Sequence, residues 1–207
     1  MVSNLKKIGQ LYADNLSKHG IDSKSVGWNT PECQELRFAQ LVKVFERKAD
    51  EVTINELGCG YGHLLKYLNQ HQFKVGHYFG YDIAPEMLSA AKKYLVDEAS
   101  KISLIESHEL TVQADYSICS GIFNVRFEER DTVWLEHIKR TLRDMYEHAN
   151  KGISFNMLTK YVDWKEDHLY YGDPEYFFNF CVTEFSRRVV LLHDYPLYEW
   201  TIVVYKT

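Results

Sequence analysis

The sequence predicts an α/β fold in which a seven-stranded, mostly parallel sheet lies between two layers of helices. Short runs rich in β-branched and aromatic residues alternate along the chain with helical patterns. Such alternation implies right-handed crossovers and a parallel sheet that is covered on both faces. The last two predicted strands are too close in sequence for a crossover helix, so we expect an antiparallel C-terminal hairpin at one end of the sheet.

The individual elements follow from local signals. A first amphipathic helix is closed by Gly20, and a second begins with Thr30 as its cap and Pro31 in its first turn. The predicted strands are 51–57, 77–83, 102–106, 114–123, 151–158, 187–195 and 198–207. The predicted helices between them are 63–72, 85–100, 131–150 and one within 161–185.

The length of 207 residues indicates one domain, 1–207, that is large enough to bury a real core. Within this domain we expect residues 1–45 to form N-terminal cap helices. We expect residues 157–182 to form a lid or insertion, because this stretch is rich in aromatic residues in irregular sequence.

The amino-acid composition limits the classes of partner that we expect for this protein. The net charge of −5 gives no overall attraction to nucleic acid or to an anionic membrane, so we expect neither partner. No stretch approaches the ~20 apolar residues that span a bilayer, and the N-terminus lacks the apolar core of a signal peptide. We therefore expect a cytoplasmic protein, as a monomer or a homodimer.

The cysteines indicate a reduced compartment. Cys33, Cys59, Cys119 and Cys181 are far apart and show no CxxC pairing, which is typical of free thiols rather than of a disulfide framework or a zinc site. No His, Asp or Glu group has metal-ligand spacing either, so we expect no metal.

The stretch "ELGCGYG", residues 56–62, places three glycines at the turn from the first strand into a helix. In an open α/β sheet ligands bind at this carboxyl edge. The spacing G-x-G-x-G differs from the dinucleotide fingerprint G-x-G-x-x-G and from the phosphate loop, and no lysine follows to meet a phosphate. A ligand site without phosphate recognition, or a tight turn alone, fits this pattern.

Asp82, in "GYDIAPEML", ends the second strand about 20 residues after the glycines. An acidic side chain at this place can accept hydrogen bonds from ribose hydroxyls. The alternative is that Asp82 caps the helix that begins near Pro85. The glycine turn at this distance favours ribose binding.

Together, "ELGCGYG", "GYDIAPEML" and "ADYSICSGIF" resemble the class I S-adenosylmethionine-dependent methyltransferases, which have a Rossmann-like fold. The order of predicted elements is similar to that fold from about residue 31 to residue 207. The resemblance implies S-adenosylmethionine as the cofactor and S-adenosylhomocysteine as the product. It also accounts for the missing lysine, because this cofactor carries no phosphate.

The resemblance implies roles for single residues. The glycines would line the methionine moiety, Asp82 would hold the ribose, and Ile83 would pack on the adenine. An acidic residue near the adenine amine would fall at Glu106 or Ser107, where this sequence departs from the family pattern. The turn 120–123 would border the sulfonium. The full predicted cofactor-binding set is Glu56, Gly58, Cys59, Gly60, Gly62, Asp82, Ile83, Met87, Glu106, Ser107, Ser120, Gly121 and Arg37. For Arg37, a contact with the cofactor carboxylate and a surface ion pair are equally good interpretations.

The acceptor side is predicted from the aromatic stretch after the fifth strand. The predicted substrate-binding residues are Trp28, Phe123, Asn156, Tyr161, Tyr170 and Tyr171. His168 or Asp173 could act as a general base for an oxygen or nitrogen acceptor. The alternative is that these aromatic residues pack as a lid and that the charges are solvated.

The sequence thus predicts methyl transfer to an O or N atom of a small molecule, by in-line displacement. A loose resemblance to bacterial methyltransferases of polysaccharide and secondary-metabolite genes suggests a sugar, a polysaccharide precursor or a secondary metabolite as acceptor. Two alternatives stay open at this point: an NAD-type oxidoreductase, and a non-catalytic module that binds S-adenosylmethionine.

Overall fold

The computed structural model describes residues 4–45 and 50–206. Its centre is a seven-stranded sheet with the order β3-β2-β1-β4-β5-β7-β6. The strands are β1 Glu51–Leu57, β2 Lys74–Asp82, β3 Ile102–Glu106, β4 Ala114–Cys119, β5 Ala149–Leu158, β6 Val189–Leu192 and β7 Glu199–Tyr205. The first five strands are parallel, and β7 lies antiparallel between β5 and β6. The predicted fold class and the terminal hairpin are confirmed.

The helices lie close to their predicted places. They are α1 Leu5–His19, α2 Pro31–Leu41, α3 His63–Gln70, α4 Pro85–Tyr94, α5 Asp131–Glu147 and α6 Pro174–Glu184. The hydroxyl of Thr30 accepts a hydrogen bond from Cys33 N at 3.2 Å, which is the expected cap of α2. The fourth helix is shorter than predicted, because residues 96–101 continue as a 3₁₀-helix.

Two apolar cores cover the two faces of the sheet. On one face, Trp134, Ile138 and Leu142 of α5 belong to a cluster with Ile153 and Phe155 of β5. On the other face, residues of α2 and α3 cover β1, and the buried members include Phe38, Leu41, Ile54, Leu64 and Leu68. This arrangement is the expected three-layer packing.

The strand order reverses between β1 and β4. From β1 the chain first adds β2 and β3 on one side, and β4 then pairs with the other side of β1. Ligands of open α/β sheets bind in the crevice outside the carboxyl ends of the strands at such a reversal. The topology therefore directs attention to the ends of β1 and β4.

The N-terminal segment lies across the sheet edge. Helix α1 contacts α4, and Asn4 Nδ2 donates to Arg126 O at 2.9 Å. No helix within residues 4–45 and 50–206 is long and apolar enough to cross a membrane. The single domain and the cap and lid segments stay predictions, and residues 1–3, 46–49 and 207 lie outside the described chain.

Candidate active site

A cleft opens at the carboxyl ends of β1, β2 and β4. The turns 56–61 and 120–122 line it from the sheet, while α1, Val26, Trp28 and α2 cover it from the N-terminal side. It encloses about 980 Å³ of space, counting the part that opens to solvent. A concave site at this edge is where ligands of open α/β sheets bind.

The glycine turn presents bare backbone to this cleft. Gly58 and Gly60 have φ of +73° and +54°, and they line the cleft together with Cys59. A Cβ atom on Gly58 would lie 2.3 Å from Ile122 Cγ2, and one on Gly60 would lie 2.8 Å from Val26 Cγ1. Both positions therefore require glycine for the backbone conformation and for the close approach.

Gly62 has a different place. It is the N-terminal cap residue of α3 with φ of +83°, and it lies outside the cleft wall. A Cβ there would lie 2.5 Å from Leu95 Cδ1. We attribute this glycine to the turn and to the packing of α3 on Leu95, which differs from the expected contact with the cofactor.

Asp82 joins the two turns that form the centre of the cleft. Its Oδ2 accepts a hydrogen bond from Gly60 N at 2.8 Å, and its Oδ1 accepts one from Ala84 N at 2.9 Å. The cap residue of α4 is Ala84 rather than Asp82. Burial raises the pKa of Asp82, and the backbone N–H groups partly offset this rise. Each carboxylate oxygen keeps a further lone pair for a ligand hydroxyl.

Glu56 is the second acidic residue in the cleft. It is fully enclosed, accepts a hydrogen bond from the hydroxyl of Tyr78, and has a pKa raised to about 8, chiefly by burial. The charge of Asp82 raises this pKa further. Among the described residues that line the cleft there are two carboxyl groups and no lysine or arginine. Such a cleft favours a cationic ligand and disfavours a pyrophosphate.

S-Adenosylmethionine fits these residues. It carries an ammonium, a sulfonium, a carboxylate and a ribose, so its net positive charge meets the Asp82 carboxylate and no lysine or arginine among the described residues of the cleft wall. The glycine turn leaves room for the backbone to approach it, and Asp82 has free acceptor positions for hydroxyl groups. The nicotinamide dinucleotides, by contrast, need a binding site for two phosphates.

The comparisons with known proteins agree with this chemistry. Residues 55–152 match the family model of a methyltransferase domain. Rv1506c of Mycobacterium tuberculosis, a protein named as a methyltransferase, is 46% identical over 160 residues, which are 76% of this chain and 95% of that protein.

The chain belongs to the class I S-adenosylmethionine-dependent methyltransferases.

Solved structures share its fold. Magnesium protoporphyrin IX methyltransferase (ChlM) from Synechocystis PCC 6803, with bound S-adenosylhomocysteine, aligns with a TM-score of 0.67 at 13% identity, covering 98% of both chains. The DhpI complex with S-adenosylmethionine aligns with a TM-score of 0.66 at 12% identity, also covering 98% of both chains. The predicted cofactor and enzyme class are confirmed, and the alternatives of an oxidoreductase and of a non-catalytic module are set aside.

In this methyltransferase, the wall beyond Asp82 is apolar. Ile83 and Met87 line the cleft next to Ser107. Glu106, the other residue predicted near the adenine, lies instead in a shallow outer groove beside Lys6 and Gln10 of α1. Ser107 lines both the cleft and this groove, and its hydroxyl donates to Glu109 O at 2.7 Å.

The opposite wall contains Trp28, Ser120 and Gly121. A Cβ on Gly121 would lie 2.5 Å from Trp28 Cη2, so the indole packs directly on this backbone. Ser120 Oγ is buried without a hydrogen-bond partner among the described residues. This unpaired hydroxyl at the cleft is available to a ligand.

Arg37 does not line the cleft. Its Nε donates to Glu199 at 2.9 Å, its Nη1 donates to Cys33 O at 2.7 Å, and its guanidinium stacks 3.7 Å from the ring centroid of Trp28. Both partners of the ion pair are buried. The structure thus differs from both interpretations of Arg37, because the guanidinium meets neither the cleft nor solvent.

Asn156 continues this network from β5. Its side chain donates to Glu199 Oε2 at 3.0 Å and accepts from Gly121 N at 2.7 Å. The residue is completely buried, as is Phe123, and neither lines the cleft. Asn156 therefore holds the turn after β4 in place, and it acts on a substrate only by positioning Gly121.

The remaining predicted acceptor residues lie away from the cleft. Tyr161 is 52% exposed, and Tyr170 and Tyr171 are half-buried in the loop before α6. His168 is exposed in the same loop, and Asp173 caps α6 and pairs with Lys160 at 2.9 Å. The hydrogen bond to Lys160 contributes to the lowered pKa of Asp173. The substrate-binding role of these tyrosines and the general-base role of His168 or Asp173 stay predictions that the geometry does not support.

Sequence reasoning missed several lining residues. Helix α1 contributes Leu5, Ile8 and Tyr12, and α5 contributes His137 and Thr141. A signal for the second pair was present, because positions i and i+4 share a helix face, and these two lie beside the apolar stripe of α5. In the described part of the chain, no group of three His, Cys, Asp or Glu side chains could hold a metal ion.

Proposed function

We propose that this methyltransferase transfers the methyl group to an O or N atom of a small-molecule acceptor. The observation that carries the proposal is the cover of the cleft: α1, Trp28 and α2 of the same chain close over the cofactor site. An acceptor has to enter the space that these elements leave beside Trp28 and Gly121. In this proposal a small molecule enters that space, and the cover keeps a folded macromolecule from the donor methyl.

The described residues have separate tasks in this proposal. The backbone of Gly58 and Gly60 contacts the methionine portion, and the carboxylate of Asp82 accepts from the ribose hydroxyls. Glu56 holds a proton in the ligand-free protein at neutral pH and releases it when the cationic cofactor binds beside it. When bound, S-adenosylmethionine supplies an electrophilic methyl group on its sulfonium. The aromatic face of Trp28 suits a positive charge nearby.

We assign the rate acceleration to alignment of the acceptor with the donor methyl. Holding two reactants in line can supply about 7–11 kcal/mol of the barrier. The network of Arg37, Glu199 and Asn156 supports this task, because it fixes Trp28 and Gly121 on one wall of the cleft. Neither His168 nor Asp173 is needed in this scheme.

The charge of the protein and of its cleft supports a neutral acceptor. The net charge is −5, and the wall of the cleft has no lysine or arginine among the described residues. An acceptor with several phosphates or carboxylates is therefore disfavoured. The structural relative ChlM is named for a small-molecule acceptor, magnesium protoporphyrin IX. We favour a neutral hydroxyl or amine compound, among which sugars, polysaccharide precursors and secondary metabolites are the first candidates.

The test is a methyl-transfer assay with a panel of small hydroxyl and amine compounds, read as formation of S-adenosylhomocysteine. We expect turnover with a subset of the panel, and mass spectrometry of the product should place the methyl on O or N. Asp82→Ala serves as the matched inactive control. Transfer only to RNA or protein, or a methyl on carbon, would contradict the proposal.

A further inference from the structure

His137 lines the cleft but has no role in the function proposed above. It lies in the second turn of α5, and both it and Thr141, one turn further on, line the cleft. The Nδ1 atom of His137 is buried and has no hydrogen-bond partner among the described residues. An unpaired buried nitrogen costs free energy, so such an atom at a ligand cavity indicates a partner that the ligand supplies.

The imidazole is neutral at physiological pH. Burial, together with the positive charge of Arg140 and the neighbouring His108, lowers the pKa of His137 to about 4. A neutral imidazole has one donor nitrogen and one acceptor nitrogen. With its proton on Nε2, the ring offers Nδ1 as an acceptor to the cleft.

The other walls of the same cleft suit a flat heteroaromatic group. Ile8 and Tyr12 of α1 line one part of the cleft, and Ile83 and Met87 line the part beyond Asp82. A purine has apolar faces that pack on such side chains, and it has a polar edge that needs hydrogen bonds. Glu106, which could have met an amino group, lies in the outer groove instead.

We propose that His137 Nδ1 accepts a hydrogen bond from the 6-amino group of the cofactor adenine. His137 thereby selects adenine over other purines, and Thr141 lies beside it on the same helix face. The proposal rests on the cofactor and on the ribose at Asp82, and it is independent of the acceptor. Its failure and a failure of the small-molecule proposal are therefore distinguishable.

The test compares two ligands by isothermal titration calorimetry without any acceptor. S-Adenosylhomocysteine carries the 6-amino group, and S-inosylhomocysteine carries a 6-oxo group that would face Nδ1 as a second acceptor. The wild-type protein is expected to bind the first ligand at least tenfold more tightly. His137→Phe is expected to weaken S-adenosylhomocysteine about tenfold and to bring the two ligands within about threefold of each other.

Two further variants complete the design. His137→Asn keeps a polar atom near the place of Nδ1 and should recover part of the discrimination. His193→Phe changes an exposed histidine near the C-terminal hairpin, away from the cleft, and should bind both ligands like the wild type. Thermal unfolding without ligand identifies a variant that fails to fold.

Two results would overturn the proposal. The first is a wild-type protein that binds both ligands equally, a measurement that needs no variant. The second is a folded His137→Phe that keeps the wild-type ratio; loss of methyl transfer with unchanged binding in that variant would assign His137 to the acceptor instead.

Discussion

The carboxylate of Asp82 accepts a hydrogen bond from the backbone N–H of Gly60, at 2.8 Å, across 22 positions of sequence. This bond ties the turn after β1 to the turn after β2. The same carboxylate accepts from Ala84 N, so it fixes both sides of the cleft at once. Asp82 thus has a structural task as well as the proposed contact with the ribose, and experiments have to separate the two.

Substitution of Asp82 tests the proposed ribose contact. Asp82→Ala should weaken S-adenosylhomocysteine at least tenfold, because two ribose hydroxyls and two backbone N–H groups lose their acceptor. Asp82→Asn keeps one oxygen and should weaken binding less. Calorimetry measures both, and Asp115→Asn, which changes an acidic residue bonded to Thr53 N and Lys151, is the control. Unchanged affinity in Asp82→Ala would return this residue to a purely structural role.

Gly58 and Gly20 form a matched pair. Both have φ near +70°, but a Cβ on Gly58 would meet Ile122 at 2.3 Å, whereas one on Gly20 would meet nothing within 4 Å. Gly20→Ala should cost only the strain of its backbone, whose ψ of −154° lies in a region that is essentially limited to glycine, about 1–3 kcal/mol of unfolding free energy. Gly58→Ala should cost more and should also reduce cofactor affinity. Urea unfolding and calorimetry check this. Equal effects of the two changes would refute the close packing of Gly58 against Ile122.

The buried Glu56 predicts a pH dependence of stability. Its pKa is raised to about 8 in the folded protein, so between its ordinary value of 4.5 and pH 8 the folded state holds a proton that the unfolded state releases. Stability in the ligand-free protein therefore falls as pH rises through this window, by at most about 1.4 kcal/mol per pH unit from one carboxyl. Glu56→Gln should flatten the dependence in urea unfolding from pH 5 to 8. An identical slope in the variant would show that Glu56 is not the cause. The pKa of Asp82 is also raised, so its contribution to the slope remains in both proteins.

The ion pair between Arg37 and Glu199 predicts that substitutions at these two residues have strongly coupled effects on the free energy of unfolding. Removing one partner leaves an uncompensated buried charge, so Arg37→Met or Glu199→Gln should each cost about 3–5 kcal/mol. The double variant should cost much less than the sum. Arg143 and Glu184 form a half-exposed pair, and Arg143→Ala should cost less than about 1 kcal/mol. Additive losses at Arg37 and Glu199 in urea unfolding would argue against a coupled pair.

The fold was largely predictable because its signals are local. Strand and helix periodicities, Thr30 with Pro31, and the short link before β7 decide most of the topology. The boundaries were less accurate where the chain changes conformation without a proline or glycine. An example is α4, which ends at Tyr94 and continues as a 3₁₀-helix.

The site was only half predictable. The glycine turn and Asp82 have fixed spacing in sequence, and the structure brings them together. Arg37 and His137 did not follow from sequence, because their environment depends on contacts over long separations. Arg37 meets Glu199 across 162 positions, and His137 shares the cleft with α1, which lies more than a hundred residues earlier. No local pattern reports the contact of Arg37 with Glu199. The i, i+4 spacing of His137 and Thr141 shows a shared helix face but not which cavity that face lines.

A crystal structure with S-adenosylhomocysteine tests the central claim most directly, namely that the cleft between the glycine turn and Asp82 holds the cofactor. We predict the ribose hydroxyls within hydrogen-bond distance of the Asp82 carboxylate, the homocysteine against Gly58 and Gly60, and the sulfur on the side of Gly121. A ligand bound outside this cleft, or a ribose that does not contact Asp82, would contradict the account.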